Sequence, residues 1–167
     1  KALTKNVPVT EKYITIGGDV SADVTVKAPV GMKISELLSA AGYNDLKDKE
    51  VINGGPMMGK LVDLENDVVT KTTKGLLIFP KYHSIVQRKK MSVSTAIKQA
   101  SAACCNCTMC SDMCPRNLLG YDLYVHKTLR AASHSEVNNT ESFLQSALCC
   151  GCGVCTIIAC QQMLDPQ

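Results

Sequence analysis

The sequence predicts an α+β fold in two parts, and three observations lead to that prediction. All ten cysteines of the 167-residue chain lie after residue 103, so the composition changes sharply along its length. Before that point, short runs of β-forming residues accompany one amphipathic helical pattern. After it, helical patterns bracket two dense runs of cysteine. We therefore expect a lead-in over residues 1–10, a small β-grasp-like domain over residues 11–82 and a helical domain over residues 83–167.

The first domain begins with a predicted hairpin and a helix. Tyr13–Ile16 alternates and is rich in β-forming residues, and Val24–Val26 follows as the second strand after a turn at Gly17–Asp19. The pattern of Ile34–Ala41 places its apolar residues on one helical face. Gly42 is a typical residue to follow a helix C-terminus.

Three further short strands are predicted in this domain, at Val51–Ile52, Val68–Thr70 and Leu76–Phe79. A strand pair followed by a helix and more short strands is a β-grasp-like order.

The second domain reads as helices around the cysteine runs. The basic segment Tyr82–Lys90 is interpreted as a linker into a helix over about Ser92–Ala102, with Ser92 or Ser94 as its N-cap. The segments after the first cysteine run are interpreted as a helix, a loop and an approach to the second run: Leu118–Ala131, Ser133–Asn139 and Ser142–Leu148.

The cysteines form two runs that open with the same spacing. The first reads Cys104-x2-Cys107-x2-Cys110-x3-Cys114-Pro115, and the second reads Cys149-x2-Cys152-x2-Cys155-x4-Cys160. This is the ligand pattern of [4Fe–4S] proteins, in which three thiolates from one tight loop surround a cluster and a fourth comes from elsewhere. The runs therefore predict a ferredoxin-like module that carries two clusters and relays electrons, without a catalytic residue of its own.

The fourth cysteine of each run is expected to bind the cluster of the other run, as in two-cluster ferredoxins. On that rule, the ligands of cluster one are Cys104, Cys107, Cys110 and Cys160. The ligands of cluster two are Cys149, Cys152, Cys155 and Cys114. Such crossed ligation would tie both runs into one folding unit.

A shift of 45 residues superposes the two runs and leaves Cys105 and Cys150 as a surplus pair at matching positions. We favour small apolar packing beside each cluster for both. The alternative is a weak S–H hydrogen bond that tunes the reduction potential. The histidines are isolated in sequence, so exposed or hydrogen-bonded structural roles are expected for His83, His126 and His134.

Zinc and disulfides are the competing interpretations of the cysteine runs. Cys104-x2-Cys107 and Cys149-x2-Cys152 could form a four-thiolate zinc site, but the later cysteines of each run would then be unexplained. A disulfide framework is disfavoured because cysteines at i and i+3 are poor partners and no secretory signal is visible.

Composition argues against two classes of partner. The formal charge is +3, and two ligated clusters of about −2 each would bring the holoprotein to about −1. With no Trp and 4% aromatic residues, no platform for stacking bases is evident, so nucleic acid is not expected as a partner. No apolar run approaches the roughly 20 residues of a membrane helix, so direct membrane insertion is not expected.

Two segments of the first domain carry a family resemblance. Asn53-Gly-Gly-Pro-Met-Met-Gly59, followed by Val69–Ile78, resembles the soluble-ligand-binding β-grasp domain that precedes the clusters in two related families. One is the C subunit of the Rnf electron-transport complex. The other is the cobalamin reductase, or S subunit, of propanediol-utilisation microcompartments. The resemblance covers the chain from about Val7 to Pro166.

The cysteine-rich half separates these families. Cys114–Gly120, with His126 just downstream, is similar to the cobalamin reductases. Four residues precede Cys160 in the second run and no proline follows it, whereas the Rnf proteins typically have three residues and then Cys-Pro. The chain is therefore more similar to the cobalamin reductases.

This resemblance implies a longer protein with an upstream domain that binds FMN and NADH, from which residues 1–10 lead in. Electrons would pass from NADH through FMN and the clusters to a cobalamin held by a partner enzyme, an adenosyltransferase. The whole protein would then be an NADH-dependent oxidoreductase of the bacterial cytoplasm, among the components of a microcompartment. A module of an Rnf-type membrane complex and a zinc-binding structural module are the alternatives.

Overall fold

The computed structural model describes residues 2–134 and 140–166. The chain divides into two compact units, Lys1–Lys89 and Lys90–Gln167. A five-stranded sheet organises the first unit, and short helices form the second, which confirms the α+β prediction. Across the described ranges, no helix combines the length and the apolar character needed to cross a bilayer.

A mixed sheet forms the first unit, after a short helix α1 (Ala2–Lys5). Its strands are β1 (Glu11–Gly18), β2 (Val24–Pro29), β3 (Lys49–Asn53), β4 (Lys60–Leu61) and β5 (Gly75–Pro80). They lie in the order β2-β1-β5-β3-β4. The β1–β5 pair is parallel and the other pairs are antiparallel. Helix α2 (Ile34–Ala40) connects the first hairpin to the remaining strands, which is the β-grasp arrangement.

An aliphatic core lies between this sheet and α2. Alternation along β1 buries Ile14 and Ile16 completely, because successive side chains of a strand point to opposite faces. From α2, Ile34, Leu37 and Leu38 come from one face of the helix and join the same cluster. Each such side chain stabilises the fold by about 1.5–3 kcal/mol when fully buried.

Two predictions for this unit need correction. Val68–Thr70 is not a strand, because only Val68 forms a bridge, to Lys33. The predicted linker Tyr82–Lys90 contains a helix, α3 (Ser84–Lys90), in which Val86 is fully buried. The segment was predicted as a linker because it is polar and basic, and one buried residue in a short helix leaves no apolar pattern in the sequence.

The loop Gly54–Gly59 owes its shape to glycine. Gly54 has a φ of 107°, and a Cβ at Gly59 would collide with the carbonyl oxygen of Gly55. The Lys89 ammonium of α3 donates to the carbonyl oxygens of Met57 at 3.1 Å and Gly59 at 2.5 Å. Helix α3 is therefore fastened to this loop.

Short helices form the second unit. They are α4 (Val93–Ala103), α5 (Met109–Asp112), α6 (Pro115–Leu118), α7 (Val125–His134), α8 (Thr140–Ser146) and a π-helix (Cys155–Ala159). Ser92 caps α4 by accepting a hydrogen bond from the Thr95 backbone N–H at 3.3 Å, as its position predicts.

The helix predicted over Leu118–Ala131 begins later than expected. Gly120 has a φ of 89°, which interrupts the helical path, and α7 starts only at Val125. Of the predicted loop Ser133–Asn139, the first two residues belong to α7 and residues 135–139 lie outside the described ranges.

Candidate metal centre

Four cysteines of the sequence motif line one cavity, which we call cavity one. Its volume is about 340 Å³, part of it open to solvent. The thiols of the first run are joined there by the last cysteine of the second run: Cys104, Cys107, Cys110 and Cys160. Cys105 also lines this cavity.

The other four motif cysteines line a second cavity of about 300 Å³, cavity two. Here the second run is joined by the last cysteine of the first: Cys149, Cys152, Cys155 and Cys114. Cys150 lines it as well. The eight predicted ligands are thus brought together in the same two sets of four that the crossed rule predicts, and which iron each thiol binds stays a prediction.

A buried cluster of side chains connects the two cavities. Cys110 of cavity one packs with Cys114 and Cys155 of cavity two, around Leu123 and Val125. These three cysteines are 7–8% exposed. Cys104, Cys107 and Cys149 are exposed, so each cavity has an inner buried side and an outer open side.

The two cysteine loops share an unusual backbone conformation. Asn106 and Thr108 have φ values of 52° and 65°, and the residues 45 positions later, Gly151 and Gly153, have 64° and 75°. Left-handed residues on either side of the second cysteine fold the chain into a tight loop. The repeat in the sequence is therefore also a repeat in the backbone.

The extra residue before Cys160 is absorbed by the π-helix. The Cys160 backbone N–H donates to the Cys155 carbonyl oxygen, five residues earlier, at 3.1 Å. In the first run, the Cys114 N–H donates to Ser111, three residues earlier, at 3.0 Å. The two runs therefore place their fourth cysteine with turns of different width, which accommodates three intervening residues in the first run and four in the second.

The thiols of Cys110 and Cys155 hold their protons at neutral pH when no metal is bound. Burial, reinforced by the thiols of Cys155, Cys160 and Cys107, raises the pKa of Cys110 to about 12. Burial, reinforced by the remaining thiols of cavity two, likewise raises the pKa of Cys155 to about 11. A metal centre must displace these protons on binding, because only the thiolate is a ligand.

The donor set fits a [4Fe–4S] cluster. Each cavity is lined by four thiols around a space, and a cubane takes one thiolate at each of four irons. In the described ranges, no three His, Cys, Asp or Glu side chains converge on a point that could hold a single ion. A Cys₄ zinc site, by contrast, places four sulfurs about 2.3 Å from one ion.

The surplus cysteines Cys105 and Cys150 line the two cavities and are exposed, and their role beside the clusters stays a prediction. The pKa of Cys150 is lowered: slight burial opposes this, but hydrogen bonds from Arg116 and Cys152 outweigh it. The Arg116 guanidinium also lies 5.1 Å from the centre of the Tyr121 ring. Arg116 was not identified from the sequence, because nothing local relates it to a cysteine 34 positions away.

The C-terminal segment closes one side of cavity one. Gln162, Leu164 and Pro166 line the cavity, and Leu164 is buried. The Thr156 hydroxyl donates to the Asp165 carboxylate at 2.7 Å, which ties this segment to the π-helix.

His126 lies beside the same cavity, on α7. Its Nδ1 is 2.7 Å from the Ser111 hydroxyl, and its backbone N–H donates to that hydroxyl at 3.0 Å. This confirms the expected hydrogen-bonded role. Ser111 is almost fully buried. It was not identified from the sequence, in which its position next to Cys110 is the only local indication that it belongs to the site.

Comparisons with known proteins agree with this site. Residues 103–165 match the family model of the 4Fe-4S dicluster domain. Over all 167 residues, the chain is 37% identical to cobalamin reductase PduS of Salmonella typhimurium and 36% identical to that of Citrobacter freundii. It spans 37% of the length of each of these relatives.

A second group of relatives matches less of the chain. Over 125 residues, or 74% of the chain, it is 34% identical to the C subunit of the ion-translocating oxidoreductase complex of Haemophilus influenzae, of which it spans 17%. Both groups and the dicluster model support an iron–sulfur electron-transfer role. The chain therefore carries a match to the 4Fe–4S dicluster domain over residues 103–165 and is similar along its whole length to the cobalamin reductases.

Proposed function

We propose that this chain is the electron relay of an NADH-dependent cobalamin reductase and that it holds two [4Fe–4S] clusters. Cluster one would be bound by Cys104, Cys107, Cys110 and Cys160, and cluster two by Cys149, Cys152, Cys155 and Cys114. The observation that carries the proposal is the pair of four-thiol cavities joined by the buried cluster of Cys110, Cys114 and Cys155.

The residues of the chain serve the relay by holding two redox centres close together. When bound, each cluster supplies a one-electron couple. The buried thiols keep water from the side where the cavities meet, and the exposed thiols leave the opposite side of each cavity accessible. Electrons can then enter at one cavity and leave at the other without a reaction on a protein side chain.

The wider role follows from the relatives. We infer an upstream domain that binds FMN and NADH, and a cobalamin-handling partner such as an adenosyltransferase as electron acceptor. The bacterial cytoplasm and the interior of a microcompartment are the inferred location. The similarity over the full length of the chain to proteins named cobalamin reductase supports this assignment.

A component of an ion-translocating oxidoreductase complex is the second candidate, favoured by the 34% identity over 125 residues. The four residues before Cys160 and the missing proline after it favour the cobalamin reductases. Neighbouring genes distinguish the candidates: microcompartment shell and diol-dehydratase genes support the first, and genes for the membrane proteins of an Rnf complex support the second.

Metal and sulfide analysis of anaerobically purified protein tests the relay itself. We expect a brown protein with about eight irons and about eight sulfides per chain, counted from two cubanes. In the full-length protein, NADH should bleach the visible absorption of the clusters. Stoichiometric zinc without sulfide would instead establish the zinc module.

A further inference from the structure

His126 and Ser111 form a polar pair at the edge of cavity one. Ser111 directly follows Cys110, and His126 lines the cavity together with Cys104, Cys107 and Cys160. The ring is also held edge-on against Tyr124, with a centroid distance of 6.2 Å. The imidazole is therefore positioned from two sides.

The hydrogen bonds assign the ring proton. The Ser111 hydroxyl already accepts from the His126 backbone N–H, and its own hydrogen needs an acceptor because Ser111 is only 2% exposed. Nδ1 of His126, at 2.7 Å, is the acceptor that the structure provides. A neutral imidazole whose Nδ1 accepts carries its proton on Nε2. Within residues 2–134 and 140–166, no protein group forms a hydrogen bond with Nε2.

Resting on the proposed function, we infer that His126 donates an Nε2–H hydrogen bond to the sulfur of cluster one and raises its reduction potential. A reduced cluster carries one more negative charge, so an N–H donor stabilises it more than the oxidised form. Ser111 is the positioning residue. If the ring proton were on Nδ1, the buried Ser111 hydroxyl hydrogen would lose its acceptor, so Ser111 keeps the proton on Nε2.

Cavity two has no histidine among its described lining residues, and its polar donor is instead the Arg116 guanidinium. Because His126 lines only cavity one, a substitution of His126 acts on one cluster, and cluster two serves as an internal reference in the same molecule.

The test compares two substitutions in full-length, anaerobically purified holoprotein. His126→Asn keeps an acceptor for Ser111 but removes the donor at Nε2, and His126→Leu removes both. Dye-mediated redox titrations followed by EPR give the potential of each cluster, and the signal that a Cys104→Ser variant lacks belongs to the first run. His126→Gln, which returns an N–H near the Nε2 position, is the conservative variant.

We expect His126→Asn and His126→Leu to lower the potential of cluster one by about 59 mV, a tenfold change in its ratio of reduced to oxidised form. The potential of cluster two should stay unchanged, and His126→Gln should return cluster one towards the wild-type value. Unchanged potentials in His126→Asn, equal shifts of both clusters, or loss of cluster one from that variant would each overturn the inference. Absence of cubane clusters from the wild type would refute the proposed function before any variant is made.

Discussion

The two cysteine loops have the same backbone conformation but are built from different residues. In the first loop, the left-handed positions are occupied by Asn106 and Thr108, and in the second by Gly151 and Gly153. A β-branched residue with positive φ is strained, whereas glycine adopts that conformation without steric cost. The comparison shows that the two loops place left-handed residues at matching positions and that the first loop does so at Thr108 against the local preference of a β-branched residue.

The surroundings of the loops differ as much as their residues. Cavity one is bordered by the imidazole of His126 and closed by the C-terminal segment, and cavity two by apolar residues and the Arg116 guanidinium. Because hydrogen bonds, charge and solvent exposure set cluster potentials, two centres with the same ligands should differ in potential. A difference of this kind gives a relay its direction.

The largest effect is expected from exchanging one fourth ligand. Cys160→Ser should abolish the cluster of the first run and reduce the iron content from about eight to about four, the content of one cubane. Iron analysis and EPR measure this, and Cys105→Ser is the matched control that should keep both clusters. If Cys160→Ser removed only the Cys149–Cys155 cluster, crossed ligation would be wrong.

Thr156→Val should loosen the cover of cavity one. It removes the 2.7 Å hydrogen bond to the Asp165 carboxylate, and a hydrogen bond to a charged group contributes about 1.5–3 kcal/mol. Iron release from cluster one into a chelator should accelerate about tenfold or more, because release follows opening of the segment. Thr128→Val is the control. It removes a hydrogen bond from the Thr128 hydroxyl of α7 to the Ser142 carbonyl oxygen of α8 and should leave the rate of iron release from cluster one unchanged. Equal acceleration in both variants would contradict the proposed cover.

Adding a side chain at a left-handed glycine of the second loop should destabilise it more than placing glycine at a left-handed position of the first loop. Gly153→Ala is expected to destabilise its loop by about 1–2 kcal/mol, the cost of a left-handed alanine. Asn106→Gly should be close to neutral, because asparagine already tolerates this conformation. Thermal loss of the cluster absorption in anaerobic holoprotein measures both. A Gly153→Ala protein as stable as the wild type would show that the loop can change its backbone.

The smallest effect concerns the surplus thiols. The lowered pKa of Cys150, which the Arg116 hydrogen bond produces against slight burial, should make this thiol react faster with iodoacetamide at pH 7 than Cys105. Mass spectrometry of briefly alkylated holoprotein gives the two rates, and Arg116→Gln should remove the difference. If Cys105 were alkylated faster than Cys150, the expected activation of the Cys150 thiol by Arg116 would be wrong.

Elements with strong local patterns were predictable. Alternation located β1, a short run of β-forming residues located β5, apolar spacing located α2, and a serine before an apolar run located the N-terminus of α4. Helix α3 was missed because the burial of Val86, on which it depends, comes from residues distant in sequence. The π-helix was missed because four residues between Cys155 and Cys160 do not reveal how a turn will contain them.

The sequence by itself predicted which residues can hold metal and, by the crossed rule, the two sets of four thiols, because cysteine spacing is a local property. Only the tertiary structure decided how the strands are ordered in the sheet, which cysteines are buried between the cavities, and that His126 lies beside one of them. These features depend on contacts between residues far apart in the chain, such as Cys110 with Cys155. Burial and hydrogen bonding, and with them the expected difference between the two clusters, arise from those contacts.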